Sequence, residues 1–181
     1  QWELAAFDDS SEWSPSSFLV EEFMTTDLFT VTKEDLPELS ADMMDWQQLR
    51  YLPIENEQGE LVGLLTHREL LRYFSDSFKN NKKNTTTKLE DIMLKDPYTI
   101  RPEQTIVEAM ELMMEKRIGC LPVVNNGKLV GMITEHNFLN ITASLLKRWR
   151  RRKKVMQQQE VKNEPKAPIN EEVKETSAGT G

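Results

Sequence analysis

Thr66 and Thr134 stand out as residues able to do chemistry. Each closes a Gly-x-x-Thr run, Gly63-Leu64-Leu65-Thr66 and Gly131-Met132-Ile133-Thr134, and each precedes a helical segment. A hydroxyl at a helix N-terminus, beside unpaired backbone N–H groups, is a ready site for an anion such as phosphate. Two residues on, Arg68 could clamp a phosphate. His136 holds the equivalent place and gains charge as pH falls. His67 reads as a surface residue. No catalytic constellation accompanies these groups. There is no Gly-x-Ser-x-Gly, P-loop, Cys-x-x-Cys or histidine pair at ligand spacing. Cys120 stands alone with no activating base nearby in sequence, so it reads as a small strand residue. The chain is therefore not expected to be an enzyme in its own right.

The two threonines belong to a longer repetition. Met24–Val31 returns as Met93–Ile100, Leu52-Pro53-Ile54 as Leu121-Pro122-Val123, and Gly59–Thr66 as Gly127–Thr134. The offset is 69 residues through the leucine-proline pair and 68 after one deletion. Two copies point to a pseudo-twofold pair with a cleft between the halves. In the second copy, Tyr98-Thr99-Ile100 is a short strand, and Arg101-Pro102-Glu103 is expected to open a helix. Ile106, Ala109, Met110, Met113 and Met114 form its apolar face, Gly119 stops it, and Cys120–Val124 is a buried strand. Asn125-Asn126-Gly127 turns into Leu129–Ile133, and Thr134 caps a helix through Leu146 with Asn137 three residues on. The first copy repeats the order, with helices at 34–48 and 66–74. Each unit is thus β-α-β-β-α, an α/β (α+β) class. A three-stranded sheet with helices on one side needs its twin to cover it. Gly63 and Gly131 mark either close approach of a ligand or a tightly packed strand position. Met43, Met44, Met110, Met113 and Met114 read as core filler.

This gives a lead-in at 1–17, repeats at 18–74 and 89–146, a polar linker at 75–88, and a basic helix end with a disordered tail at 147–181. The lead-in carries four acids, no bases, and Trp2, Phe7 and Trp13. Residues 1–146 carry a net charge of -12, and residues 147–181 carry +5. The acidic body argues against nucleic acid as a partner. Lys147 to Lys154 holds seven cations in eight residues around Trp149, suited to an acidic partner or lipid surface, to nucleic-acid contact, or simply to a solvated helix end beside the acidic body. No run of 18 apolar residues signals a membrane span, and a single cysteine excludes an internal disulfide, which suits the cytoplasm. The first residue is Gln1 and no secretory pattern follows, as in a fragment of a longer protein.

The opening Met, the Thr-Val or Thr-Ile strand, the methionine-bearing helix, Leu-Pro, and Gly-x-x-Thr, in order and twice, resemble cystathionine-β-synthase (CBS) domains. The pair looks like a Bateman module over about residues 20–146. That resemblance implies a regulatory module. It would bind an adenosine-type ligand (AMP, ADP, ATP or S-adenosylmethionine) between the repeats, dimerise further, and modulate an attached or partner protein. It assigns Thr30 and Thr99 to the base and the backbone around Arg50-Tyr51 and Gly119-Cys120, ahead of Pro53 and Pro122, to the adenine edge. Thr66 and Thr134, with Arg68 and His136 beside them, go to phosphate. The family's ribose-gripping aspartate is replaced by Glu69 and Asn137: the first adds a methylene, the second loses the charge. Two alternatives stand beside this reading. One is a structural or dimerisation module without ligand. The other is the CBS tail of a carboxylate–amine ligase protein similar to glutamate–cysteine ligase.

Overall fold

The computed structural model describes residues 18–79 and 87–163. The lead-in, most of the linker and residues 164–181 lie outside them. The elements are α1 (Pro37–Trp46), β1 (Tyr51–Glu55), β2 (Leu61–Thr66), α2 (His67–Lys79), α3 (Leu89–Ile92), α4 (Ile106–Lys116), β3 (Cys120–Asn125), β4 (Lys128–Thr134) and α5 (Glu135–Asn163). The chain divides into two compact units after Ile141. The fold below is that of the first. The second holds the rest of α5. That helix continues to Asn163 through residues read from composition as tail, because Gln, Glu, Lys and Met are good helix formers.

The helix ends correct the sequence reading. Helix α1 begins at Pro37, three residues later than expected, because proline takes the first helical position and Asp35 instead accepts the Thr32 N–H at 2.7 Å. Pro102 opens no helix. Arg101–Gln104 turns, and α4 starts at Ile106 behind the capping box of Thr105 and Glu108. The left-handed residue that ends α4 is Arg117, at φ 54°, not Gly119. Helix α2 runs five residues past Phe74, to Lys79.

Hairpin β1–β2 pairs Tyr51 with Thr66 and Ile54 with Gly63, and β3–β4 pairs Cys120 with Thr134 and Val123 with Gly131. Asn126 (φ 50°) and Gly127 (φ 83°) make the tight turn expected between β3 and β4. The third strand of each sheet shrinks to one parallel bridge, Val31 to Ile54 and Ile100 to Val123. Proline explains this. Val31 donates to the Pro53 carbonyl and accepts from Glu55; Ile100 does the same with Pro122 and Val124. The next rung would need an N–H from Pro53 or Pro122, which proline lacks.

The repeats exchange their openings. Thr25 pairs with Met132 on β4, with backbone bonds of 2.8 and 2.9 Å. Leu94 pairs with Leu64 on β2 at 3.0 and 2.9 Å. Val20 donates to Gln104 of the second repeat, and Leu89 to Asp35 of the first. The side chain of Met93 lies over Gly63 and that of Met24 over Gly131. A Cβ at either glycine would fall 2.6 Å from the sulfur. The two glycines are therefore packing positions for the opposite repeat. The hairpin tips also meet, Glu60 bridging Lys128.

The first repeat's core holds Val31, Met44, Leu52, Ile54, Leu65, Leu70 and Leu89. The second repeat buries Ile100, Ile106, Ala109, Met113, Leu121, Val123 and Ile133. Of the five helical methionines, Met44 and Met113 are core, Met43 is half-buried, and Met110 and Met114 face outward.

Candidate functional site

The starts of α2 and α5 meet the ends of β1 and β3 in matching ways. The His67 N–H donates to the Arg50 carbonyl at 3.1 Å, and the Glu135 N–H donates to the Gly119 carbonyl at 3.0 Å. The backbone assigned to the adenine edge is thus tied, in each repeat, to the first residue of the helix that follows. The His67 Nδ1 also lies 3.4 Å from the Arg50 carbonyl. Arg50, His67, Arg68 and His136 are exposed; Tyr51, Thr66, Thr134 and Asn137 are half-buried. Thr30 is half-buried and Thr99 exposed, each one residue before the bridging position. Pro53 and Pro122 are fully buried in their strands.

The two threonines behave differently from each other, and it is Thr66 that takes a first-turn N–H. Thr66 accepts the Arg68 N–H at 3.2 Å and donates its hydroxyl to Glu69. Glu69 is only 7% exposed and has Arg72 at 3.7 Å on its other side. Thr134 donates both its N–H and its hydroxyl to Asn137 Oδ1 at 2.8 Å. The Asn137 amide then donates to the Phe23 carbonyl at 2.9 Å. Asn137 therefore fastens the exchanged opening segment to α5. The charge lost at this position is what permits that bond, since a carboxylate offers no donor. Glu69 and Asn137 are both committed to bonds within the protein.

Glu135, which sequence reasoning passed over, and His67, read there only as a surface residue, complete the site. Glu135 approaches Arg50, with 4.0 Å between their charged atoms. Both side chains are largely exposed, so the pair adds little stability. His67 stacks edge-on to Tyr51, with ring centroids 6.5 Å apart. Glu135 was visible in the sequence as the first helical residue after Thr134, but only the fold brings it to Arg50 and Tyr51.

Tyr51, Cys120, Leu64, Met132 and Leu28 pack together where the repeats join. Burial, then the Glu135 carboxylate, pushes the Cys120 thiol up to about 12. Because this exceeds the value of about 9 for an unfolded thiol, the folded state holds the proton more tightly. The stability this contributes is complete below about pH 9 and falls as pH rises toward 12. Urea melts at pH 8 and pH 10.5 should therefore differ less in Cys120→Ala than in the wild type; equal differences would remove Cys120 as the source. At pH 8 a maleimide should label the chain only in denaturant, and labelling of the native chain at a free-thiol rate would contradict the burial.

Residues 20–76 and 89–144 both match the CBS domain family. The chain belongs to the CBS-domain family. It is 30% identical over 135 residues to a CBS domain-containing protein of Dictyostelium discoideum, covering 71% of this chain and 93% of that one. It is 36% identical over 115 residues to inosine-5'-monophosphate dehydrogenase of Korarchaeum cryptofilum, covering 63% of this chain but 22% of the enzyme. A crystal structure of an acetoin utilization protein from Vibrio cholerae superposes with a TM-score of 0.68 at 28% identity, covering 74% of this chain and 97% of that one. The fold is also that of CBSX2, a CBS-pair protein of Arabidopsis thaliana solved with AMP: TM-score 0.63, 24% identity, 71% and 98% covered. The CBS pair is a regulatory module rather than a catalytic one, although some relatives are parts of enzymes. No helix among the described residues is long and apolar enough to cross a membrane.

Proposed function

We propose that this CBS pair senses an adenosine-type nucleotide in the cleft between its repeats and modulates an attached or partner protein in the cytoplasm. The observation that carries this reading is the gathering of Arg50, His67 and Arg68, all exposed, at the threonine-capped start of α2. The two arginine cations beside a helix N-terminus suit a phosphate, and the His67 ring adds a hydrogen-bonding group. The AMP complex of the Arabidopsis relative supports an adenine ligand. Thr30, Thr99 and the backbone at Arg50-Tyr51 would face the base, and Thr66, Arg68, Thr134 and His136 the phosphate. Glu69 and Asn137 can meet ribose hydroxyls only alongside their internal bonds, which favours modest affinity.

A second reading has its own support. Asn137 holds Phe23 rather than standing open, as a structural module would use it. The exposed apolar residues Leu39 and Trp46 on α1, Leu71 and Phe78 on α2, and Met110 and Met114 on α4 suit helix-face pairing in a homodimer. Sedimentation should show a dimer that Trp46→Lys weakens.

A thermal-shift panel separates the readings. A ligand at ten times its dissociation constant stabilises by about 1.4 kcal/mol, or on the order of 3–6 °C here. If millimolar AMP, ADP, ATP and S-adenosylmethionine all leave the melting point unmoved, the sensor reading fails and the structural one stands. For a ligand that does bind, Thr66→Ala should weaken it; unchanged affinity would take Thr66 out of the site.

A further inference from the structure

The two hairpin starts are not equivalent, and a single residue makes most of the difference. Tyr51 and Cys120 hold matching places: each begins the first strand of its hairpin, and each pairs with its repeat's capping threonine. Only one of the two side chains is large. The Tyr51 hydroxyl reaches across the junction to Gly119, so close that a Cβ there would collide with it. Glu135 flanks the same spot, its Oε1 2.8 Å from where that Cβ would lie. Gly119 is thus glycine because its side-chain space is already taken, from the other repeat. In the reverse direction there is no such intrusion. Cys120 is small and buried, and Arg50 at the position matching Gly119 carries a long exposed side chain. Burial first, then Cys120 and Glu135, raises the Tyr51 ionisation above the ordinary tyrosine value, so the phenol stays neutral through the physiological range.

We propose that Tyr51 limits the module to one adenosine-type ligand per chain, by occupying the Gly119 side of the cleft. The proposal rests on the nucleotide reading above and adds its stoichiometry. An aromatic ring of Tyr51's size cannot share its volume with an adenine, because interiors are close-packed. Truncating it should therefore open a second place rather than adjust the first.

Isothermal titration calorimetry with AMP, ADP, ATP and S-adenosylmethionine tests this. The wild type should bind one equivalent of the active ligand, and Tyr51→Ser should bind two. Tyr51→Phe keeps the ring and should stay at one. If Tyr51→Ser does not fold by circular dichroism, Tyr51→Val, suited to a strand, takes its place. Two equivalents in the wild type, or one in the truncated variant, overturn the role of Tyr51 while leaving nucleotide sensing intact. Binding to neither protein overturns both.

Discussion

Leu121→Ala is expected to cost about 2–5 kcal/mol of stability, the range for deleting a fully buried leucine whose neighbours only partly collapse. Leu121 is wholly buried on β3 and pairs with Ile133, also wholly buried, on β4. Its flanks are rigid: Pro122 follows it, and the Cys120–Thr134 pair ends the hairpin beside it. Little can move in to fill the space. A melting temperature lowered on the order of 5–15 °C would follow. The matching Leu52→Ala should cost a similar amount, since Leu52 is equally buried opposite Leu65. A loss under 1 kcal/mol in either variant, read from urea melts with unchanged slope, would show that the site relaxes freely and the packing argument is wrong.

Gly131→Val is expected to cost about 1–3 kcal/mol through overpacking. The added Cβ would press on Met24, whose sulfur lies 2.6 Å from its position, and on the Thr25 carbonyl oxygen at 3.1 Å. The methionine can swing away. The carbonyl cannot, because Thr25 is hydrogen-bonded in both directions to Met132. Part of the cost should therefore be recoverable and part not. In a double-mutant cycle, Met24→Ala should recover some of the loss by removing the sulfur, giving a coupling energy of about 0.5 kcal/mol or more. Strict additivity would mean that the opening segment of the first repeat does not rest on the second in solution.

These two predictions come from opposite ends of what the sequence makes legible. The buried leucines are plain from local pattern, because Leu-Pro followed by β-branched residues recurs at one spacing. The tight turn at Asn126-Gly127 is equally plain, since positive φ at both positions narrows the choice of residues. The start of α4 was legible but misread. Pro102 and Glu103 fit a first turn, yet Thr105 and Glu108 carry the stronger capping-box spacing. The stop at Arg117 left no signal, because a basic residue in the left-handed region looks like any other helix-end cation. Least legible were contacts that join the repeats. Nothing local to Gly119 says that Tyr51 fills its space, and nothing near Asn137 names Phe23, 114 positions away. Glycine at 63 and 131 announced a close approach, of ligand or of packed chain, and only the fold shows that Met93 and Met24 make it.

The traded openings bear on how such a chain can be taken apart. Each half is missing a piece of itself and holds a piece of the other, through the Thr25–Met132 and Leu94–Leu64 pairs. A half expressed alone would present a vacant edge on β2 or β4 and a loose segment shaped to fill that edge in a neighbour. Two such halves would find each other, identical or not. Split between Lys79 and Thr87, the protein should reassemble from its fragments, and a solitary repeat should pair with its own copy. The covalent link then serves mainly as a leash that raises local concentration.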